Sequence, residues 1–158
     1  MKSVRLKNYG KINKDKVISF SWNNKKYQGF EGDTLASALL ANNIGVVGRS
    51  FKYHRPRGIF SSGVEESGAL VTIGSKDKRD PNVRATSQEL YDGLRARGQN
   101  AFPNVNFDLG EINNYLSRFF AVGFYYKTFM GVPPFEWGKG TTIWMLFEKL
   151  IRRAAGMG

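Results

Sequence analysis

The sequence predicts an α+β fold in which one helix crosses a small mixed sheet. Three patterns predict this class: a hairpin near the start, a capped apolar helix directly after it, and two further strands downstream. The chain has 158 residues, of which 41% are hydrophobic and 14% are aromatic. This length and composition suit one domain with an appendage, and they exclude a disordered or collagen-like chain.

The hairpin pattern occupies the first 30 residues. Apolar and polar side chains alternate over Val17–Trp22, and a second run, Lys25–Phe30, follows two asparagines. Asn23 and Asn24 tolerate the left-handed backbone that a tight hairpin turn requires. We therefore expect two antiparallel strands.

A helix is predicted over Leu35–Ala41. Asp33 or Thr34 can cap its first turn by accepting a hydrogen bond from a backbone N–H group. Asn42 and Asn43 end it. Its leucines and alanines form an apolar face, which we expect to lie on the sheet.

Two more strands, Ala69–Ile73 and Asn82–Thr86, complete the ββαβ core of a β-grasp domain, which we assign to residues 1–86. From residue 87 onwards, glycines and prolines interrupt a chain that is dense in aromatic residues. We interpret residues 87–158 as an irregular, aromatic-rich extension that packs on the domain. It ends in an amphipathic helix over Thr142–Gly156.

Charge and cysteine content limit the function classes. The formal net charge of +11 suits a nucleic-acid binder, or a basic surface that faces solvent or an acidic partner. The cations are spread along the chain without a block, which favours the second reading. The absence of cysteine excludes disulfides and thiolate-bound metals. No apolar run approaches the about 20 residues of a membrane span, and no secretion signal is visible, so we expect a cytoplasmic protein.

The segment from Phe60 to Thr86 has the spacing of an iron–sulfur loop. Plant-type [2Fe–2S] proteins hold their cluster with a C-x4-C-x2-C run and a distant fourth cysteine. In this chain Ser61, Glu66, Ala69 and Thr86 occupy the four positions. Serine and glutamate are hard oxygen donors and alanine offers no donor, so we predict vestigial cluster positions without a metal.

Several runs resemble the ferredoxin-like [2Fe–2S] domains of flavin-dependent amino-acid dehydrogenases and oxidases. The version without cysteines is similar to the N-terminal region of the alpha subunit of heterotetrameric sarcosine oxidase. The resemblance extends over nearly the whole chain and is carried by Arg49–Phe60, Asp33–Ala41, Pro81–Ala85, Glu89–Leu94, Gln99-Asn100, Ala121–Met130 and Ile151–Gly158.

This resemblance implies a non-catalytic structural module of a complex that oxidatively demethylates sarcosine to glycine. It implies FAD, FMN and NAD in the complete complex and no cofactor in this chain. The implied partners are the beta, gamma and delta subunits and the rest of the alpha subunit. The resemblance also implies that a dinucleotide-binding domain follows this region. These residues contain no Gly-x-Gly-x-x-Gly unit, so we expect the extension to lead toward that domain rather than to be part of it. A basic nucleic-acid-binding domain is the alternative, and an electron-transfer ferredoxin is disfavoured by the missing cysteines.

The basic run is the candidate contact region for a cofactor phosphate or a partner. Arg49, Lys52, Arg55 and Arg57 place four cations within nine residues, and guanidinium groups suit phosphate or carboxylate through paired hydrogen bonds. His54, the single histidine, belongs to the same candidate region or serves as a packing residue. A solvated basic loop is the alternative interpretation.

No catalytic residue is predicted. Glu65, Glu66 and Asp92 could supply acid–base chemistry, but without a visible partner we expect them to be surface carboxylates. The aromatic segment Phe124–Phe129 could stack on a cofactor ring, and we expect it to pack in a core or an interface.

Overall fold

The computed structural model describes residues 4–6, 9–119 and 143–154. Its main sheet begins with the predicted hairpin, in which β1 (Asn13–Trp22) pairs antiparallel with β2 (Lys25–Glu31). Asn23 and Asn24 connect the strands with φ angles of 47° and 66°. Two left-handed residues give a turn whose twist matches that of the strands. The hairpin prediction is confirmed.

Helix α1 (Leu35–Ala41) has the predicted bounds and cap. Thr34 Oγ1 accepts from the Ser37 N–H group at 3.2 Å, and Ser37 Oγ accepts from the Thr34 N–H group at 3.0 Å. Each residue thereby satisfies an N–H group that the first turn leaves without a helical partner. Asn43, with a φ of 60°, follows the end of the helix.

Five strands form the main sheet and two form a short ribbon. The ribbon is β3 (Gly48–Arg49) with β4 (Pro56–Arg57). The strand order in the main sheet is β2-β1-β7-β5-β6. β1 and β7 run parallel and the other neighbours run antiparallel, so the sheet is mixed, as predicted. The remaining strands are β5 (Leu70–Ile73), β6 (Asp80–Arg84) and β7 (Arg95–Gly98).

Strand β7 is the central strand of the sheet, and the sequence pattern does not predict it. It lies beyond residue 86, the expected end of the domain, and pairs with β1 on one side and β5 on the other. Only Ala96 of its four residues is buried. A short strand with two arginines and one buried side chain lacks the apolar alternation by which strands are recognised.

The core lies between α1 and one face of the main sheet. Alternate residues of β1, namely Ile18, Phe20 and Trp22, are buried against Leu35 and Leu39 of the helix, which fully exclude solvent. Burying one such side chain stabilises a fold by about 1.5–3 kcal/mol. Core residues lie on both sides of the predicted domain boundary at residue 86. Leu90, Leu94 and Ala96 belong to the core and follow this boundary in the chain.

Short helical elements follow the sheet. A 3₁₀ turn at Leu109–Glu111, helix α2 (Ile112–Tyr115) and a second 3₁₀ turn at Leu116–Phe119 succeed one another. Helix α3 (Ile143–Ala154) lies within the span Thr142–Gly156 in which the sequence predicts an amphipathic helix. The segment Phe124–Phe129 lies outside the described residues. Within the described ranges, no helix has both the length and the apolarity to cross a membrane.

Candidate functional site

Glu66 lies at the centre of the loop that joins β4 to β5, and only 1% of it is exposed. Its Oε2 accepts hydrogen bonds from the N–H groups of Phe60 and Ser61 at 2.6 and 2.7 Å. Its Oε1 accepts from those of Gly68 and Ala69 at 2.5 and 3.2 Å. The expectation of a surface carboxylate at Glu66 is wrong, because both ends of the loop fold around this side chain.

Gly68 permits the close approach on which this arrangement depends. A Cβ atom at this position would lie 2.8 Å from the Phe60 ring and 2.9 Å from the Gly58 carbonyl oxygen. Carbon atoms do not approach other heavy atoms so closely, so any larger residue would push the two ends of the loop apart. The loop therefore closes around Glu66 only with a glycine at position 68.

The four predicted cluster positions (the frame positions) meet at this loop. Ser61 and Ala69 donate their N–H groups to Glu66, and Thr86 Oγ1 donates to the Gly63 carbonyl at 2.6 Å. A [2Fe–2S] cluster needs four thiolate ligands, whereas these positions offer two hydroxyls, one methyl and one saturated carboxylate. The residues present do not fit a cluster. Across the described residues, no group of three or more His, Asp or Glu side chains could hold a metal ion.

Hydrogen bonds favour the ionised form of two buried carboxyls. Burial alone would raise the pKa of Glu66, but its four backbone N–H donors outweigh burial and lower the pKa below 4.5. Burial also opposes ionisation of Asp108, yet the N–H groups of Phe102 and Gly110 and the ring of His54 lower its pKa below 3.8. An anion that accepts several hydrogen bonds is favoured over its neutral acid.

Acid is therefore expected to destabilise the fold through these two groups. Because both folded-state pKa values are depressed, their contribution is complete above the unfolded-state values near about 4 and is lost as pH falls through the folded-state values. Urea unfolding, followed by circular dichroism at a series of pH values, should show that the urea concentration at the midpoint decreases once the pH drops below about 4. The Glu66→Gln and Asp108→Asn variants should each lose part of that slope. If the urea midpoint of the unmodified chain stayed constant well below about pH 4, the proposed contribution of ionised Glu66 and Asp108 to stability would be contradicted.

Arg49, the first cation of the basic run, is an internal residue with 6% exposure. Its Nε donates to the Val105 carbonyl and one terminal nitrogen donates to the His54 carbonyl, both at 2.9 Å. The Glu111 carboxylate lies 3.2 Å from the same terminal nitrogen. The guanidinium thus joins β3, the following loop and the 105–111 segment. The contact to a cofactor phosphate or a partner that the sequence suggests at Arg49 stays a prediction, for a guanidinium that already has these three internal partners.

The other cations of the run have separate surroundings. Arg55 Nε donates to Asn114 Oδ1 at 3.1 Å, and its guanidinium lies over the Tyr53 ring, 4.8 Å from the centroid. Lys52 Nζ lies 5.0 Å from the centroid of the same ring. Arg57 is exposed on β4. Arg49 is therefore internal, Lys52 and Arg55 lie against the Tyr53 ring, and both Arg55 and Arg57 are exposed.

His54 pairs with Asp108, and the distance from Nδ1 to Oδ2 is 2.7 Å. The Asp108 side chain is fully shielded from solvent, and its Oδ1 also accepts from the N–H groups of Phe102 and Gly110. The φ of His54 is 54°, a left-handed value that residues with a Cβ atom rarely adopt. His54 thus ties the basic run to the segment that precedes α2.

A cleft of about 760 Å³ opens beside this pair. Its lining includes the polar side chains of Lys52, Arg97, Gln99 and Asn100. Asn100 Nδ2 donates to the Arg49 carbonyl at 3.1 Å, while its buried Oδ1 lacks a hydrogen-bond partner in the part of the chain that the structure describes. The cleft also has apolar lining residues, among them Phe102 and Leu109, so its lining is mixed.

Sequence reasoning identified the frame positions but missed Asp108 and the buried state of Glu66. Asp108 does carry a local signal, because an aspartate two residues before a glycine can accept that glycine's N–H group at the start of a helical turn. Its pairing with His54 has no local signal. The expected surface positions of Glu65 and Asp92 are confirmed, and Asp92 Oδ1 accepts from the Ser19 N–H group at 3.0 Å.

Comparisons of the sequence with known proteins find similarity to sarcosine oxidase alpha subunits. The whole chain is 53% identical to the N-terminal part of sarcosine oxidase subunit alpha of Rhizobium meliloti (strain 1021), of which it spans 15%. Over 54% of the chain it is 43% identical to sarcosine oxidase subunit alpha of Corynebacterium sp. (strain U-96), covering 9% of that protein. The structure of L-proline dehydrogenase from P. horikoshii is a weaker match, with 26% identity, a TM-score of 0.44, and coverage of 53% of this chain and 16% of that one.

A family profile described as a 2Fe-2S iron-sulfur cluster binding domain matches residues 15–101. The match begins within β1 and includes the rest of the hairpin, α1, the Glu66 loop and the other strands of the main sheet. Because it extends over more than half of the chain, the protein belongs to the family of 2Fe-2S iron-sulfur cluster binding domains, in a version whose ligand positions do not fit the cluster.

Proposed function

We propose that this chain is a non-catalytic structural module of a sarcosine oxidase alpha subunit. The observation that carries the proposal is the 53% identity over the full chain to such a subunit. In the proposed assembly FAD, FMN and NAD are bound outside this chain, sarcosine is demethylated to glycine, and the beta, gamma and delta subunits are the partners. The proposed location is the cytoplasm.

The proposed core is a β-grasp domain, with the helix α1 held across a mixed sheet. The strand order and the parallel pairing of β1 with β7 support this assignment. The domain then includes β7, which lies beyond the boundary at residue 86 that the sequence suggested. Residues after β7 form the proposed extension, which leads toward a dinucleotide-binding domain.

Exposed apolar side chains in this extension support a role in assembly. Between Phe102 and Phe119 the chain leaves several large apolar residues in solvent, with Tyr115 82% exposed. Monomeric proteins seldom leave such side chains uncovered in large groups. Contact with another part of the complex would bury them. The residues concerned are Phe102, Phe107, Leu109, Ile112, Tyr115, Leu116 and Phe119.

Domain replacement tests the proposal. This chain would replace the matching 15% of the Rhizobium meliloti alpha subunit, which is co-expressed with its partner subunits. We expect the hybrid to purify with flavin and to produce peroxide when sarcosine is added, whereas a deletion variant should fail to assemble. A deletion variant that assembles and oxidises sarcosine normally would contradict the proposal.

Surface variants of the hybrid refine the test. We expect Phe107→Ser combined with Ile112→Ser to reduce the yield of assembled, flavin-bearing complex, because both side chains are about 60% exposed and apolar. Val17→Ser on β1 is the matched control, since Val17 is 54% exposed but lies away from the 102–119 segment in the chain. Equal yields of assembled complex from the two variant hybrids would contradict a place for residues 102–119 in the interface.

A further inference from the structure

The Glu66 carboxylate is saturated by backbone donors alone. Each of its oxygens accepts two N–H groups, which come from the beginning and the end of one loop. Among the described residues, the salt bridges include none to Glu66. The nearest guanidinium contact, from Arg84 Nε at 3.2 Å, goes to the Glu66 backbone carbonyl. Oriented peptide dipoles therefore compensate the buried charge.

Such an arrangement has the chemistry of an anion-binding cradle. Successive N–H groups that converge on one point bind phosphate, carboxylate or the sulfur atoms of a cluster, because all of these carry negative charge. Burying a carboxylate without a cation is costly, and the cost is met only when its lone pairs are satisfied. Here all four donors are within hydrogen-bonding distance and the side chain is 1% exposed.

We propose that the loop from Gly58 to Ala69 is an anion-binding cradle whose permanent occupant is the Glu66 carboxylate, in place of a cluster. Glu66 extends from the second frame position into the centre of the loop, and Ser61 and Ala69, at the first and third positions, donate their N–H groups to it. The order of the loop then depends on this one carboxylate. A chain that lacks it should accept a small monocarboxylate such as acetate at the same place.

Amide hydrogen exchange in the full chain tests the role of the charge. Glu66→Gln keeps the shape but turns an NH₂ group toward two N–H donors. We expect the amides of residues 60, 61, 68 and 69 to exchange more than about tenfold faster, since hydrogen bonds to charged groups are strong. Glu65→Gln is the matched control, because it makes the same change at the adjacent carboxylate, which is exposed. This variant should leave the four exchange rates unchanged.

A measurement of amide exchange in the unmodified chain tests the proposal even if Glu66→Gln fails to fold. In it the four amides should exchange at least about tenfold more slowly than those of the exposed loop residues Ser62 and Val64. Similar rates for both groups would overturn the proposal, as would unchanged rates in Glu66→Gln.

Addition of acetate tests the cradle directly. In Glu66→Ala, sodium acetate should restore protection to the four amides and raise the melting temperature, while sodium chloride at equal ionic strength should not. Equal effects of both salts, or no effect of acetate on a folded variant, would overturn the proposed anion site.

Discussion

Arg49→Ala is expected to lower the free energy of unfolding by about 3–5 kcal/mol, the largest effect of any change in the basic run. The substitution leaves the buried carbonyl of Val105 and the carbonyl of His54 without their donor. It also releases Glu111 from its ion pair. Thermal unfolding should show a loss of roughly 10 °C in Tm, and urea titration should show a lower midpoint.

Arg57→Ala is the matched control, because it removes the same side chain from the same run at an exposed position. Its stability should remain within about 0.5 kcal/mol of the native chain. Arg49→Lys should lie between the two, since an ammonium group keeps the charge but has its donors on a single nitrogen, which cannot span the separated partners that the planar guanidinium reaches. Equal stability of the two alanine variants would contradict an internal role for Arg49.

A chain that ends after Thr86 is expected not to fold, although it contains every strand that the sequence predicts. It lacks β7, so β1 and β5 lose the strand that lies between them. It also lacks Leu94, which is fully buried, and Ala96, which is 5% exposed. Two unpaired strand edges and an open core leave too little buried surface to offset the loss of chain entropy.

A chain that ends after Phe119 is the control for this truncation, because it retains all five strands and the partners of Arg49. We expect it to unfold cooperatively in urea, with a far-ultraviolet circular dichroism spectrum that differs from that of the full chain by the signal of the deleted residues, which include α3. The shorter chain should show no cooperative transition. A cooperative transition in the shorter chain would show that the first 86 residues are an independent domain.

The elements predicted correctly are those that nearby residues determine. Asn23 and Asn24 specify the hairpin turn through their tolerance of positive φ, and Thr34 with Ser37 specifies the start of α1. β7 could not be predicted in this way, because its place in the sheet depends on neighbours that are distant in sequence. Gly98 pairs with Val71 of β5, and Ala96 pairs with Trp22 of β1.

The candidate site divides in the same manner. Spacing alone brought Ser61, Glu66 and Ala69 together, because they lie within nine residues of one loop. Spacing could not show that the Glu66 side chain turns inward, since this follows from the path of the loop backbone. The contacts of His54 with Asp108 and of Arg49 with Val105 join residues more than 50 positions apart. Composition and local pattern contain no information on such pairs.

The Glu66 loop has a consequence for how a cell makes this protein. A loop held by a metal cluster becomes ordered only after the cofactor is delivered, because binding and folding are coupled. Here the group at the centre of the loop is a side chain of the same polypeptide, bonded to its own backbone. Each copy therefore receives it at translation, and the ordering of this loop requires neither iron nor sulfide.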